Sequence, residues 1–112
     1  MQRVVLAACA IVAAACPALA QEQFVGRWAV KPELCSSHGG DTPETSALVA
    51  TDTSLWWFEG YCRIGKMYKA KAVYVQAHCW GKGDVPVTLD AQGDKMKITW
   101  DRTKVETLKR CK

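Results

Sequence analysis

The side chains that could do chemistry in this chain are few: six cysteines, two histidines and scattered carboxylates among 112 residues. Cys35, Cys62, Cys79 and Cys111 lie far apart, and no two form the Cys-x-x-Cys pair that redox thiols and zinc sites favour. Cys35-Ser36-Ser37-His38 does have Cys-x-x-His spacing, and His78-Cys79 would complete four ligands. An even number of thiols in a small exported domain reads instead as two disulfides, so no metal is expected. His38 and His78 read as surface or rim residues. Ser36 and Ser37 are neighbours of His38 in sequence, which does not make a triad. Asp52, Glu59 and Glu106 offer carboxylates, but their spacing makes no acid–base pair. Gly81-Lys82-Gly83 sits in a hairpin-turn sequence and is not a phosphate-cradling loop. The expectation is a protein without catalytic residues or cofactor.

Residues suited to contact are more concentrated. Trp56-Trp57-Phe58 with Tyr61 is the densest aromatic cluster. Two consecutive Trp residues on a strand face opposite sides, so one can fill a core while the other meets solvent or a partner. Trp and Tyr are favoured at binding hot spots. Arg63, Lys66, Lys69 and Lys71 follow, with Lys82, Lys95 and Lys97 further on. This basic run suits an envelope protein or a polyanion such as lipopolysaccharide. Trp56, Trp57, Tyr61, Arg63, Lys66 and Lys82 are therefore the candidate binding residues.

The compartment comes from the first 20 residues. Met1-Gln2-Arg3 is a basic start, Val4 to Ala15 is apolar without charge, and Ala18-Leu19-Ala20 supplies small residues before Gln21. These are the parts of a cleaved secretory signal. The run is shorter than the ~20 residues of a spanning helix. Leu6-Ala7-Ala8-Cys9 looks like a lipobox, but it leaves too little apolar length before it. Cleavage after Ala20 removes Cys9 and Cys16. It leaves residues 21–112 as one domain with 14 basic and 11 acidic side chains. The expected place is the periplasm or the exterior, with no membrane-spanning segment. That location and a charge of only +3 argue against nucleic acid.

The elements that must position these residues read as strands. Phe24 to Val30 alternates at period two, and Lys31 to Thr45 is a long loop with Pro32, Gly39-Gly40 and Pro43. Ala47 to Thr51 reads as a short strand, and Leu55 to Phe58 as an apolar one that continues extended through Cys62. Ile64-Gly65-Lys66 turns or bulges. From Lys71, Val73, Val75, Ala77 and Cys79 face one way; Tyr74, Gln76, His78 and Trp80 face the other. Val85, Val87 and Leu89, then Met96, Ile98 and Trp100, repeat the pattern between turns at Gly81–Asp84, Asp90–Asp94 and Asp101-Arg102. No helical period persists. The expected fold is all-β: a small antiparallel meander or barrel of six to eight strands with two disulfides.

Strand parity constrains the pairing. Three hairpins separate the Cys79 strand from the Cys111 strand, which places those cysteines at opposite rims. With one strand before the one that reaches Cys62, the pairs become Cys35–Cys79 and Cys62–Cys111. An extra strand at Ala47 would upset that count.

Gly26-x-Trp28 on the first strand resembles the opening motif of lipocalin-like barrels, in which the Trp packs across the barrel floor. The whole layout is similar to small exported proteobacterial proteins of unknown function. The shared features are the Gly-x-Trp start, Pro32-Glu33-Leu34-Cys35, two further cysteines and a terminal Arg110-Cys111. That resemblance implies a disulfide-bonded β domain and carries no activity. Periplasmic inhibitors of C-type lysozyme are similar in size, export and β architecture, though their loop signatures do not occur here. The expected function is a non-catalytic binding domain of the bacterial envelope, one version being inhibition of a lysozyme-type hydrolase. It would hold its partner on loops Pro32–Thr45 and Gly81–Asp84 with exposed Trp and Lys. The alternative is a lipocalin-like carrier of a small apolar ligand.

Overall fold

The computed structural model describes residues 22–37 and 40–112. The signal-peptide reading and His38 lie outside the described residues. Eight strands run in chain order: β1 (Gly26–Ala29), β2 (Leu48–Ala50), β3 (Ser54–Trp57), β4 (Gly60–Lys69), β5 (Val73–Cys79), β6 (Gly83–Gln92), β7 (Lys95–Trp100) and β8 (Lys104–Arg110). Each pairs antiparallel with the next, and β8 pairs with β1 through Trp28–Arg110 and Ala29–Lys109. The sheet is thus a closed up-and-down barrel, and closure leaves no edge strand to template aggregation. Among the described residues helical structure is confined to two 3-10 turns, Pro32–Leu34 and Pro43–Thr45, in the long β1–β2 connection. No helix there is long and apolar enough to cross a membrane.

Side-chain alternation fills the interior. Leu48 and Ala50, Leu55 and Trp57, Val75 and Ala77, Val85, Val87 and Leu89, and Met96, Ile98 and Trp100 all point inward and are buried. An eight-stranded barrel is just wide enough for its own side chains to occupy.

The two ends close differently. At the roof, where β3 turns into β4, Trp57 packs edge-to-face with Phe58 and Trp100, and those two are tilted to each other, with ring centroids 5.0–5.9 Å apart. The Trp57 indole N–H donates to the Ser46 carbonyl at 3.1 Å, which ties the long loop over that end. At the floor, Trp28 is fully buried and donates to the Phe24 carbonyl at 2.8 Å. The Arg110 guanidinium lies over the Trp28 ring, 4.3 Å from its centroid. It donates to the carbonyls of Val25 and Gln23, both at 3.0 Å, and of Gly93 at 3.3 Å. Gly26 makes room for this: a Cβ there would stand 2.8 Å from Arg110 Nη1, and its φ of +145° suits glycine. The Gly-x-Trp start and the Arg-Cys end are therefore one constellation.

The cysteine pairing differs from the parity expectation. The bonds are Cys35–Cys111 and Cys62–Cys79. Cys62 departs from the parity count because Glu59-Gly60 does not continue an extended strand. The chain reverses at Phe58–Glu59, with Trp57 facing Gly60 and Gly60 at φ +102°. Cys62 thus enters a descending β4 directly opposite Cys79 of β5. Barrel closure does the rest: β8 ends beside β1, so Cys35 folds back from β1 onto Cys111, whose N–H donates to the Arg27 carbonyl at 2.8 Å. Cys79 and Cys111 do lie at opposite ends, as parity requires.

Candidate functional site

The candidate contact residues sit on the outer face of β3, β4 and β5. Register places Trp56 opposite Tyr61. The Cys62–Cys79 pairing carries Tyr61 alongside Trp80, whose N–H donates to the Tyr61 carbonyl at 3.1 Å. Trp56, Tyr61 and Trp80 thus form one row across three adjacent strands, near the roof. They are 48%, 51% and 87% exposed. Strands ~4.8 Å apart set the backbone spacing of such a row. Isolated exposed apolar residues need no explanation, but three aligned aromatics make a patch.

Two residues along each strand from the row, the outer face turns polar. Arg63 stands between Ser54 and His78 in the register, and His78 faces Asp84. Asp84 Oδ1 pairs with His78 Nδ1, and Oδ2 accepts from Gln76 Nε2 at 3.1 Å. The imidazole lies flat over β4 because Gly65, at the β-bulge between Ile64 and Lys66, has no Cβ; one there would come within 2.4 Å of His78 Nε2. This explains Ile64-Gly65-Lys66 as a bulge inside one strand. Arg63 and Lys66 are exposed. Below them Tyr68 and Tyr74 form a second exposed pair, centroids 6.2 Å apart.

Two of the sequence candidates are engaged by the fold itself, Trp57 inside it and Lys82 at its surface. Trp57 is buried and belongs to the roof core, so of the Trp pair only Trp56 reaches the surface. Lys82 pairs with Glu59 Oε2 at 3.3 Å, while Glu59 Oε1 accepts from Trp100 Nε1 at 3.0 Å. Glu59 is thus an acceptor that satisfies a core indole. Sequence reasoning left Trp80 out of the site, although its alternation with Tyr74 and His78 already placed it outward. The Gly81–Asp84 turn does lie beside the row. The long loop is held down by Cys35–Cys111, by a Thr42–Thr45 capping box and by burial of Pro43 and Ser46.

Of the remaining carboxylates, Glu44 and Glu106 interact with one another. Burial pushes the Glu106 carboxyl above its ordinary range, and the neighbouring Glu44 adds to the effect. Glu44, fully at the surface, goes the other way, held down by its own backbone N–H and then by Glu106. Asp52 is exposed in the β2–β3 turn. Among the described residues no three His, Cys, Asp or Glu side chains gather as a metal would require.

Space for a small molecule occurs at the floor rim. A recess of about 210 Å³ lies between the segment Glu22–Phe24 and the β4–β5 turn, with Val73, Leu89 and Ala91 on its walls. A Glu22–Lys69 ion pair spans the same place. Comparison with known protein families, with curated proteins and with solved structures gives no match.

Proposed function

We propose that this chain is a non-catalytic binding domain of the bacterial envelope, exported to the periplasm or beyond, that takes its partner on the outer face of β3–β5. The observation that supports this most is the aligned, exposed row Trp56–Tyr61–Trp80 on a barrel stapled by two disulfides. Rigid aromatic side chains give large contact area at low entropic cost. Arg63 and Lys66 beside the row bias it toward an acidic partner, whether protein or polyanion. An envelope-attacking hydrolase of the lysozyme type is one such partner, and loss of its activity on adding the protein would identify it. The test is retention of envelope components on the immobilised domain. Trp56→Ala with Trp80→Ala should abolish it while the circular dichroism spectrum stays unchanged. Equal retention by the double variant would refute the reading.

The closed topology favours a second reading more directly than it favours any protein partner. Eight-stranded up-and-down barrels are the architecture of lipocalins. Trp28 of the Gly-x-Trp start is fully buried at the floor and donates to the Phe24 carbonyl. On this reading the chain carries a small apolar ligand. Because its own side chains fill the interior, the ligand would occupy the floor recess beside Phe24, Leu89 and Ala91. Titration with an apolar fluorophore separates the two readings. Ala91→Phe should block uptake into the recess, and Trp80→Ala should not affect it.

A further inference from the structure

On the outer face of β7 and β8, Lys95 stands directly opposite Lys109. Like charges in that position destabilise a sheet. Lys97, two residues on, faces Asp90, whereas the other neighbour of Lys95 is Gln92. Among the described residues neither Lys95 nor Lys109 makes an ion pair. The register sets these two like charges side by side, with no carboxylate directly opposite either one.

They floor one side of a groove. Ala29 alternates outward from Trp28 and is still fully buried, at the start of the segment that follows β1. That segment, held by Cys35–Cys111 and by Arg27 Nη1 donating to the Cys35 carbonyl at 3.0 Å, forms the opposite wall. Between the wall and β7–β8 is a groove of about 450 Å³, within the range of small-molecule sites. Its apolar side is the Pro32 ring and the disulfide; its charged side is Lys95, Lys109 and Lys112. The one side-chain carboxylate lining it, Asp94, lies 4.0 Å from Arg110 Nε. Arg110 itself is engaged with three carbonyls and the Trp28 ring. The lysines are thus the groove's unmatched charges.

We propose that this groove binds a free, small anionic amphiphile: a carboxylate or phosphate head between Lys95 and Lys109, with its apolar body along Pro32 and the Cys35–Cys111 bond. The site is separate from the aromatic row on β3–β5 and does not depend on a role for that row.

Calorimetric titration of the disulfide-intact protein with decanoate tests it, with decanol, inorganic phosphate and phosphatidylglycerol vesicles as parallel arms. Decanoate should bind, and decanol and phosphate should each bind roughly tenfold or more weakly. Lys95→Glu places a carboxylate opposite Lys109, so it should leave or raise the melting temperature while it weakens decanoate by a similar factor. Trp80→Ala should leave decanoate affinity unchanged. Equal binding of decanol or of phosphate would overturn the proposal. So would undiminished affinity in the Lys95→Glu variant, or binding to the vesicles alone.

Discussion

Replacing Arg110 by Met tests whether the two ends of the chain are joined as one structural unit. Met keeps an unbranched stem and removes the guanidinium. Three backbone acceptors lose a donor: Val25 in a half-buried setting, and Gln23 and Gly93 near the surface. A bond from a charged donor to the Val25 carbonyl contributes about 1.5–2 kcal/mol, and the two exposed ones contribute ~0.5–1 each. Loss of the cation over the Trp28 ring adds about 1 kcal/mol. The sum is about 3.5–5 kcal/mol, a large part of the ~5–15 kcal/mol that holds a small domain together. For a domain of this size, at about 4–8 °C per kcal/mol, that corresponds to a fall of roughly 15–40 °C in Tm. Thermal unfolding followed by near-ultraviolet circular dichroism measures it. Gly26→Ala should be costly for the same reason, since its Cβ would displace Arg110 Nη1. Its cost should shrink in the Arg110→Met background, because the two residues share one contact. A Tm within a few degrees of wild type for Arg110→Met, or strict additivity of the two substitutions, would refute the reasoning.

The two disulfides should not be equivalent. Cys35–Cys111 spans 76 residues and Cys62–Cys79 spans 17. In the chain-entropy account the longer loop loses about 1 kcal/mol more on opening, so Cys35→Ser with Cys111→Ser should melt lower than Cys62→Ala with Cys79→Ala. Gly65→Ala should force the imidazole of His78 off β4 and away from Asp84, at a cost of about 1 kcal/mol seen in urea unfolding. Glu106 gives a pH signature. Its carboxyl is raised in the folded state, so its contribution is complete below the ordinary value of 4.5 and is lost as pH rises through the folded one. Glu106→Gln stays neutral throughout. Its melting temperature should therefore gain on wild type at pH 7 relative to the difference at pH 3, and a difference independent of pH would count against the assignment.

The architecture is legible in the sequence because alternation and turn residues are local signals. Val73 to Trp80 and Lys95 to Trp100 state their faces outright, and Gly81–Asp84 and Gly93-Asp94 mark reversals that the fold uses. The Phe58–Glu59 reversal is not legible. Both flanking stretches are apolar and extended, and Gly60 alone signals the positive φ that the turn needs. Missing that turn moves Cys62 to the wrong end and produces the wrong disulfide pairs. The joining of Gly26, Trp28 and Arg110 also lies beyond a linear reading, because it arises from barrel closure between residues more than 80 positions apart. For the contact surface, the consecutive Trp pair divided as strand geometry requires, Trp57 inward and Trp56 outward. Which exposed basic residues carry an ion-pair partner depends on neighbours that only the folded chain supplies, as Glu59 does for Lys82.

Hydroxyl-radical footprinting of the disulfide-bonded domain, with and without an envelope extract, addresses the proposed binding surface itself. The account predicts that Trp56, Tyr61 and Trp80 lose reactivity together when the extract is present, while Tyr68 and Tyr74, lower on the same face, keep theirs. Unchanged labelling of all three row residues, or protection confined to Tyr68 and Tyr74, would contradict it.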